Sequence, residues 1–496
     1  MPRKEGQMLS PTLEEAKQRA NSGDYRRVPV STEIFADVRT PIEVMRILKG
    51  VSNHCYLLES AEPDEHFGRY TFLGFDPTME VTLHDGVLRI DGQVRETDDP
   101  IASIRQILAD HKAPRDLTLP PFAGGLVGYF SYDFLKYAEP SLVLDAKDDE
   151  GFNDVDLMLF EKVIAFDSLR QKIVLIDNLD TENLEAEYKR ADRELAKLSE
   201  LIRTGSAVGN THGHLTSDFR YLFDEAGYCR IVEEAKELIR DGDIFQVVLS
   251  NRLDADFEGS LLDTYRILRA TNPSPYMFYF SSDHIEIAGA SPETLVKLED
   301  GVLHTFPLAG TRPRGATVEE DDALEDGLLR DEKELAEHNM LVDLGRNDLG
   351  RVSEFGTVKV ERYHEILKFS HVMHIGSTVC SRIAPDKDAL DAISSVLPAG
   401  TLSGAPKIRA AQIINDLEDC KRGIYGGSIG YIDLAGNMDM CIAIRLAFKR
   451  NGRVFVRSGA GIVADSIPEN EHRECINKAR AVVDALHAAG TERGLA

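Results

Sequence analysis

Two segments of this sequence each set a pair of carboxylates three residues apart. In EKELAEHNMLVDLGRNDLG (332–350) the pair is Glu334 and Glu337. The apolar period of the segment predicts a helix, on which positions three apart share a face. In IPENEHRECINKARAVVDAL (467–486) Glu471 and Glu474 repeat the spacing, and Lys478 lies one turn beyond. Pro468 suits the first turn of that helix. A carboxylate on an apolar face is costly to bury without a partner. Two helices that each present two could make a hard-oxygen site for a divalent cation, since Mg²⁺ takes one or two protein carboxylates and leaves its other positions to water and substrate. For the first helix alone, an ion pair of Glu337 with Lys333 or Arg346 is the better reading.

Other segments could hold an anion or move a proton. CIAIRLAF (441–448) reads as a strand with Ile442, Ile444, Leu446 and Phe448 on one face. Arg445 then stands on the other face among Cys441, Ala443 and Ala447, with room for a carboxylate against its fork. An exposed edge arginine is the plainer alternative. Gly459-Ala460-Gly461 follows the strand VFVRS (454–458), and Gly310-Thr311 reads as a turn flanked by Arg312 and Arg314. LPAGTLSGAPK (397–407) is a third such turn. Glycines at these places let backbone N–H groups approach an anion. SHVMHIGSTV (370–379) reads as a strand, so His371 and His374 face opposite sides and only one can serve a given pocket. Histidine suits proton transfer near neutral pH; either one taken alone reads better as a buried structural residue.

The elements that must position these groups are legible in outline. Helices are predicted over 181–204, 225–240, 331–345, 406–418 and 469–487, and Thr40-Pro41-Ile42-Glu43 reads as a capped helix start. VTLHDGVLRI (81–90) and VKLEDGVLHTF (296–306) read as hairpins around Asp85-Gly86 and Asp300-Gly301. Their likeness suggests either a faint internal duplication or two ordinary hairpins. Strands followed by strands predict an α+β fold with antiparallel sheets. The Gly/Ser/Thr/His-rich stretch at 206–218 reads as a linker between an N-terminal region, 1–205, and a catalytic region, 219–496.

Composition narrows the function. A net charge of −27 argues against nucleic acid and anionic membranes as partners. An anion bound inside so acidic a chain needs local positive charge from a metal, an arginine or aimed backbone N–H groups. The six cysteines show no CxxC spacing, which argues against disulfides and structural zinc. No apolar run of 18 or more residues occurs and the start lacks a secretory signal, so a cytosolic protein is expected.

Taken together, Gln246 in DIFQVVLSNRL, PLAGTRPRG, ELAEHNMLVDLGRNDLGR, HVMHIGSTV, GTLSGAPK, IYGGSIGY, AIRLAF and SGAGIVADSIPENE to NKAR resemble the chorismate-utilising enzymes, in order over 225–485. The resemblance implies a large two-part α/β sandwich of mainly antiparallel sheets with helices outside. Water-using members carry lysine where this chain has Gln246, as a base to activate water. Aminodeoxychorismate synthases carry a ring-attacking lysine where it has Ala309. Gln246 with Ala309 resembles the anthranilate synthases, lyases that turn chorismate and ammonia into anthranilate and pyruvate and so commit carbon to tryptophan.

The resemblance implies Mg²⁺ on Glu337 and Glu474, with Glu334 and Glu471 outside them. It implies chorismate against Gly310, Thr311, Tyr425, Arg445, Gly459, Ala460, Gly461 and Lys478. His374, and not His371, resembles the proton-transfer residue, assisting departure of the ring hydroxyl. LLES (57–60) and NPSPYM (272–277) resemble a tryptophan-feedback site, with Ser60, Pro275, Tyr276 and Met277 at its contact positions. Ammonia is expected from a separate glutamine amidotransferase subunit. The competing readings are an aminodeoxychorismate synthase component and a non-catalytic tryptophan-binding regulator.

Overall fold

The computed structural model describes residues 9–61, 68–97, 99–207, 212–368 and 372–491. His371, positions 1–8 and positions 208–211 of the expected linker lie outside the described residues. Local rules account for the element ends. Thr40 caps the helix Pro41–Lys49 by accepting from the Glu43 N–H at 3.2 Å. Asp331 caps the helix Glu332–Gly350 in the same way and also takes Arg312 at 2.8 Å. Asp85 and Gly86, and likewise Asp300 and Gly301, all have positive φ, as a two-residue type I′ hairpin turn requires.

Among the described residues the strands form two antiparallel sheets, of 13 and 12 strands. Each has a seam where the N-terminal part meets the C-terminal part. In the first sheet Cys55–Glu59 pairs with Tyr276–Ser281. In the second Gly125–Phe130 pairs with Ser428–Asp433. Outward from these seams the two halves are connected alike. Tyr70–Phe75 hands the chain to Met79–His84 in the other sheet, as Glu286–Ser291 hands it to Thr294–Glu299. Val155–Phe160 returns it to Lys162–Asp167, as Met438–Ile442 returns it to Leu446–Arg450. The two Asp-Gly hairpins occupy matching places, so their likeness in sequence accompanies a repeat of topology. Strands from before and after the 206–218 stretch share both sheets, so that boundary divides the sequence but not the layers.

The sheets face each other across an aromatic layer. Tyr56, Phe278, Phe448 and Phe455 from the first meet Tyr129, Met158 and Phe160 from the second. Helices cover the outer faces. Pro41–Lys49, Leu184–Thr204, Leu262–Thr271 and Pro468–Ala489 pack on the first sheet. Pro100–Asp110, Glu332–Gly350 and Ala389–Val396 pack on the second. The architecture is the α+β sandwich with helices outside. Among the described residues no helix is long and apolar enough to cross a membrane. All six cysteines are free thiols.

Three local expectations are corrected. CIAIRLAF is not one strand: Met438–Ile442 ends in the second sheet and Leu446–Arg450 begins in the first. Residues 443–445 cross between the layers, and Arg445 adopts φ 53° there. Alternation alone cannot reveal a strand that changes sheets. The strand written as VFVRS continues through the glycines as Arg453–Ile462. Gly310-Thr311 is not a turn but part of the strand Leu308–Pro313, with a register shift at Gly310 (φ 65°).

Candidate active site

Two of the four crossings carry charged side chains to one place. Arg445 lies in the last crossing, and Glu293 in the one between Ser291 and Thr294. Burial pulls the Arg445 guanidinium below its ordinary value, against the field of Tyr425 and Glu293. Burial also pushes the Glu293 carboxyl up to about 7, although Thr401 donates to it at 3.1 Å and Lys478 and Arg445 lie near. Thr401 stands on the short turn Gly400–Leu402. Beneath them a cavity of ≈ 50 Å³ is lined by Glu293, Thr401, Leu341, Leu344 and Asp348. The apolar residues that continue the Glu337 face of the helix therefore line this cavity. Glu293 was missed in the sequence, because SPET between two strands carries no periodic signal.

The opposite wall is the strand Val372–Arg382. His374 stands across from Thr311 in register, and its Nδ1 lies 3.0 Å from both the Gly310 carbonyl and the Thr311 hydroxyl. A carbonyl can only accept, so Nδ1 carries the proton and the lone pair is on Nε2. Burial, with Arg445 nearby, lowers the His374 value and keeps the ring neutral. This tautomer makes Nε2 a proton acceptor. Ala309 pairs with Ile375 one step along the same strand.

The glycine strand closes a third side. Ser250 pairs with Gly459, Leu249 with Ala460 and Val248 with Gly461, while pairing with Leu446–Arg450 ends at Val456. One edge of the glycine stretch is thus in a ladder and the other faces the crossing that holds Arg445. A Cβ on Gly459 would meet the Tyr425 hydroxyl at 3.1 Å, and one on Gly461 would meet Gln246 Nε2 at 2.6 Å. Lys478 donates to the Gly459 carbonyl at 3.1 Å and pairs with Glu474 at 2.6 Å.

Glu337 of one helix feels the charge of Glu474 on the other. Burial raises Glu337, and the charges of Glu334 and Glu474 raise it further. Burial and Glu474 likewise raise Glu471. Glu474 thus acts through space on both Glu337 and Glu471, against Lys333 and Lys478. Among the described residues no ion pair joins Glu337 to Lys333 or Arg346; Arg346 pairs with Asp343, and Glu334 lies 3.5 Å from Arg312. No group of three or more His, Cys, Asp or Glu side chains among the described residues forms a ready cage for a metal. Two carboxylates are nonetheless what Mg²⁺ asks of a protein, so the donor set fits that ion.

These contacts close a ring. Glu334 reaches toward Gly310, at 3.4 Å from where a Cβ would stand. Gly310 holds His374, and His374 feels Arg445. Arg445 feels Glu293 and Tyr425, and Tyr425 abuts Gly459. Gly459 holds Lys478, Lys478 holds Glu474, and Glu474 faces Glu337. One side of the enclosed space is acidic and the other basic.

The residues of the expected tryptophan site lie at the end of the first seam. Met277 pairs with Glu59, and the Ala61 N–H donates to Ser274 at 3.1 Å, which sets Ser60 beside Pro275. Tyr276 and Met277 point to opposite faces. Met277 joins the helix-covered core, while the Tyr276 hydroxyl turns between the sheets to Asp439 at 2.8 Å and Thr294 at 3.0 Å.

Comparison with known proteins identifies the family. A family profile described as chorismate binding enzyme matches residues 53–484. Anthranilate synthase component 1 of Acetivibrio thermocellus is 44% identical over 98% of this chain and 100% of its own length. The counterpart of Aquifex aeolicus is 44% identical over 97% and 98%. The crystal structure of anthranilate synthase component I from Streptococcus pneumoniae TIGR4 superposes with a TM-score of 0.74 at 38% identity, covering 90% of this chain and 98% of that one. The chain belongs to the chorismate-binding enzymes, in the family of anthranilate synthase component 1.

Proposed function

We propose that this lyase converts chorismate and ammonia to anthranilate and pyruvate with Mg²⁺, and that tryptophan inhibits it. The observation that carries the reading is the ring of neighbouring groups, acidic at Glu337 and Glu474 and basic at Arg445 and Lys478. Glu337 and Glu474 would hold Mg²⁺, with Glu334 and Glu471 behind them. A divalent cation held there would supply charge neutralisation for the ring carboxylate of chorismate. Arg445 and the free edge of Gly459–Gly461 hold the enolpyruvyl carboxylate, with Tyr425 against the strand. Glu293, half-protonated near neutrality, gives a proton to the leaving ring hydroxyl as ammonia attacks. His374 then takes the C2 proton at Nε2, and pyruvate departs as the ring becomes aromatic. Gln246 and Ala309 stand where a lysine would redirect the chemistry to water or to covalent attack.

Ammonia comes from a separate glutamine amidotransferase. A glutaminase nucleophile needs a thiol held low, whereas burial pushes Cys55 and Cys475 up to about 12 and Cys380 up to about 11. Tryptophan would bind at the Ser60/Pro275 end of the seam. Chorismate, ammonium and Mg²⁺ supplied to the chain alone are expected to give fluorescent anthranilate and one equivalent of pyruvate, less of both with tryptophan. An aminated product that keeps its enolpyruvyl group would overturn the reading, and tryptophan binding without turnover would reduce the chain to a regulator.

Thr401 offers a pH test. Its hydroxyl donates to Glu293 and favours the charged carboxylate. Thr401→Val removes the donor, so the Glu293 value rises further and the protonated form persists to higher pH. The alkaline limb of kcat should move up by roughly one pH unit, since a hydrogen bond to a charged group is worth about 1.5–3 kcal/mol and about 1.36 kcal/mol corresponds to one unit. Thr401→Ser should restore it. An unmoved limb would remove Glu293 from proton transfer.

A further inference from the structure

Behind the glycine strand lies a buried charge cluster that the proposed chemistry does not use. The side chains of Glu418, Arg422 and Arg457 are each 1% exposed. Glu418 ends the helix Lys407–Glu418. One of its carboxylate oxygens accepts from the Ser250 N–H at 2.7 Å, the Ser250 hydroxyl at 2.9 Å and Arg422 Nη2 at 2.6 Å. The other accepts from Arg422 Nε at 3.0 Å and Arg457 Nη2 at 2.7 Å. Burial works against this charge, but the two guanidiniums hold the carboxyl below its ordinary range.

What the cluster touches is more telling than its bonds. Arg457 precedes Gly459 by two residues on the same strand and donates to the Ser250 hydroxyl at 2.8 Å. Ser250 is the register partner of Gly459. Arg422 precedes Tyr425 by three residues, and its guanidinium carbon lies 5.8 Å from the Tyr425 ring centre. Its remaining donors reach the carbonyls of Leu402 at 2.6 Å and Val248 at 2.7 Å. Leu402 adjoins Thr401, which holds Glu293, and Val248 pairs with Gly461. Glu418 and its two arginines therefore tie together four segments, two of which carry Tyr425 and Gly459 of the ring.

We infer that Glu418, with Arg422 and Arg457, is a positioning unit for the substrate's carboxylate: it fixes the Gly459 strand and Tyr425 and leaves one net positive charge behind them. The inference rests on the chorismate reading above. Glu418→Gln separates placement from charge. It keeps the side-chain shape but raises the net charge of the cluster, which by field alone would tighten anion binding. If placement governs, the KM for chorismate instead rises at least tenfold while the KM for ammonium stays within twofold. Ser250→Ala leaves every charge in place and removes the hydroxyl that bridges Arg457 and Glu418; it should raise the KM for chorismate about threefold, and it decides the matter if Glu418→Gln does not fold. Melting temperatures read stability alongside. A chorismate KM within twofold of wild type in the folded variants, with only a lower melting temperature, would make the cluster purely structural and overturn the inference. The wild-type rate under the same conditions tests the activity itself: no wild-type turnover would overturn that reading and the role of Glu418 with it.

Discussion

If Glu337 and Glu474 hold the proposed Mg²⁺, Glu337→Gln and Glu474→Gln should each lower Mg²⁺-supported anthranilate formation by roughly 10³-fold, because a bound divalent cation supplies several kcal/mol of charge stabilisation and about 1.36 kcal/mol is tenfold in rate. The same variants change stability in the opposite sense. Glu337 is raised by burial, by Glu334 and by Glu474. A carboxyl raised above its unfolded value contributes stability that is complete below the unfolded value and is lost as pH rises through the folded one. At neutral pH the two helices therefore repel, and a cation that binds only the folded state restores what was lost. The wild type should melt higher with Mg²⁺ than without it. Glu474→Gln should melt higher than wild type in chelator and gain little from Mg²⁺. Melting curves with and without Mg²⁺ check both statements, and a wild type indifferent to chelator in rate and in melting would dismantle the proposed metal site.

Arg445→Gly is the second large effect. The guanidinium is the group in the ring best shaped to take a carboxylate in two parallel bonds. Losing one partner of a buried charge pair costs about 2–5 kcal/mol, so kcat/KM for chorismate should fall by roughly 10²–10³-fold. Arg445 also holds φ 53°, a conformation that disfavours any side chain. Glycine relieves that strain, which costs about 1–3 kcal/mol. The variant should melt no lower than wild type while losing nearly all activity. Arg445→Lys keeps the charge but not the fork, and should fall between the two in kcat/KM. A variant that loses stability and activity together would return Arg445 to a structural role.

The carboxylate helices were legible because both signals are local. A three-residue spacing and an apolar period lie within each segment, joined in the second by a proline at the first turn, and the helices Glu332–Gly350 and Pro468–Ala489 follow from them. The hairpins at Asp85 and Asp300 were legible for the same reason. What stayed hidden depends on partners remote in sequence. Arg445 reads as a strand residue because alternation continues across residues 441–448, and nothing local says that the strand on each side joins a different sheet. The glycines at 459–461 looked like a strand end because glycine weakens strands, whereas pairing with Gln246–Glu258 carries the ladder to Ile462. Glu293 gave no sign, since its partner Thr401 is 108 positions away, and Glu418 gave none, since only the fold brings Arg457 and Ser250, 39 and 168 positions away, to its carboxylate.

The four crossings give the sandwich a mechanical property that neither sheet has alone. Each one is a covalent rivet through both layers, and two are set in either half of the molecule. Sliding one layer over the other would have to stretch all four of these short links at once. Glu293 and Arg445 sit on two of those rivets, and their separation is fixed when the protein folds rather than when the substrate arrives. The placement of these two charged groups is stored in the frame.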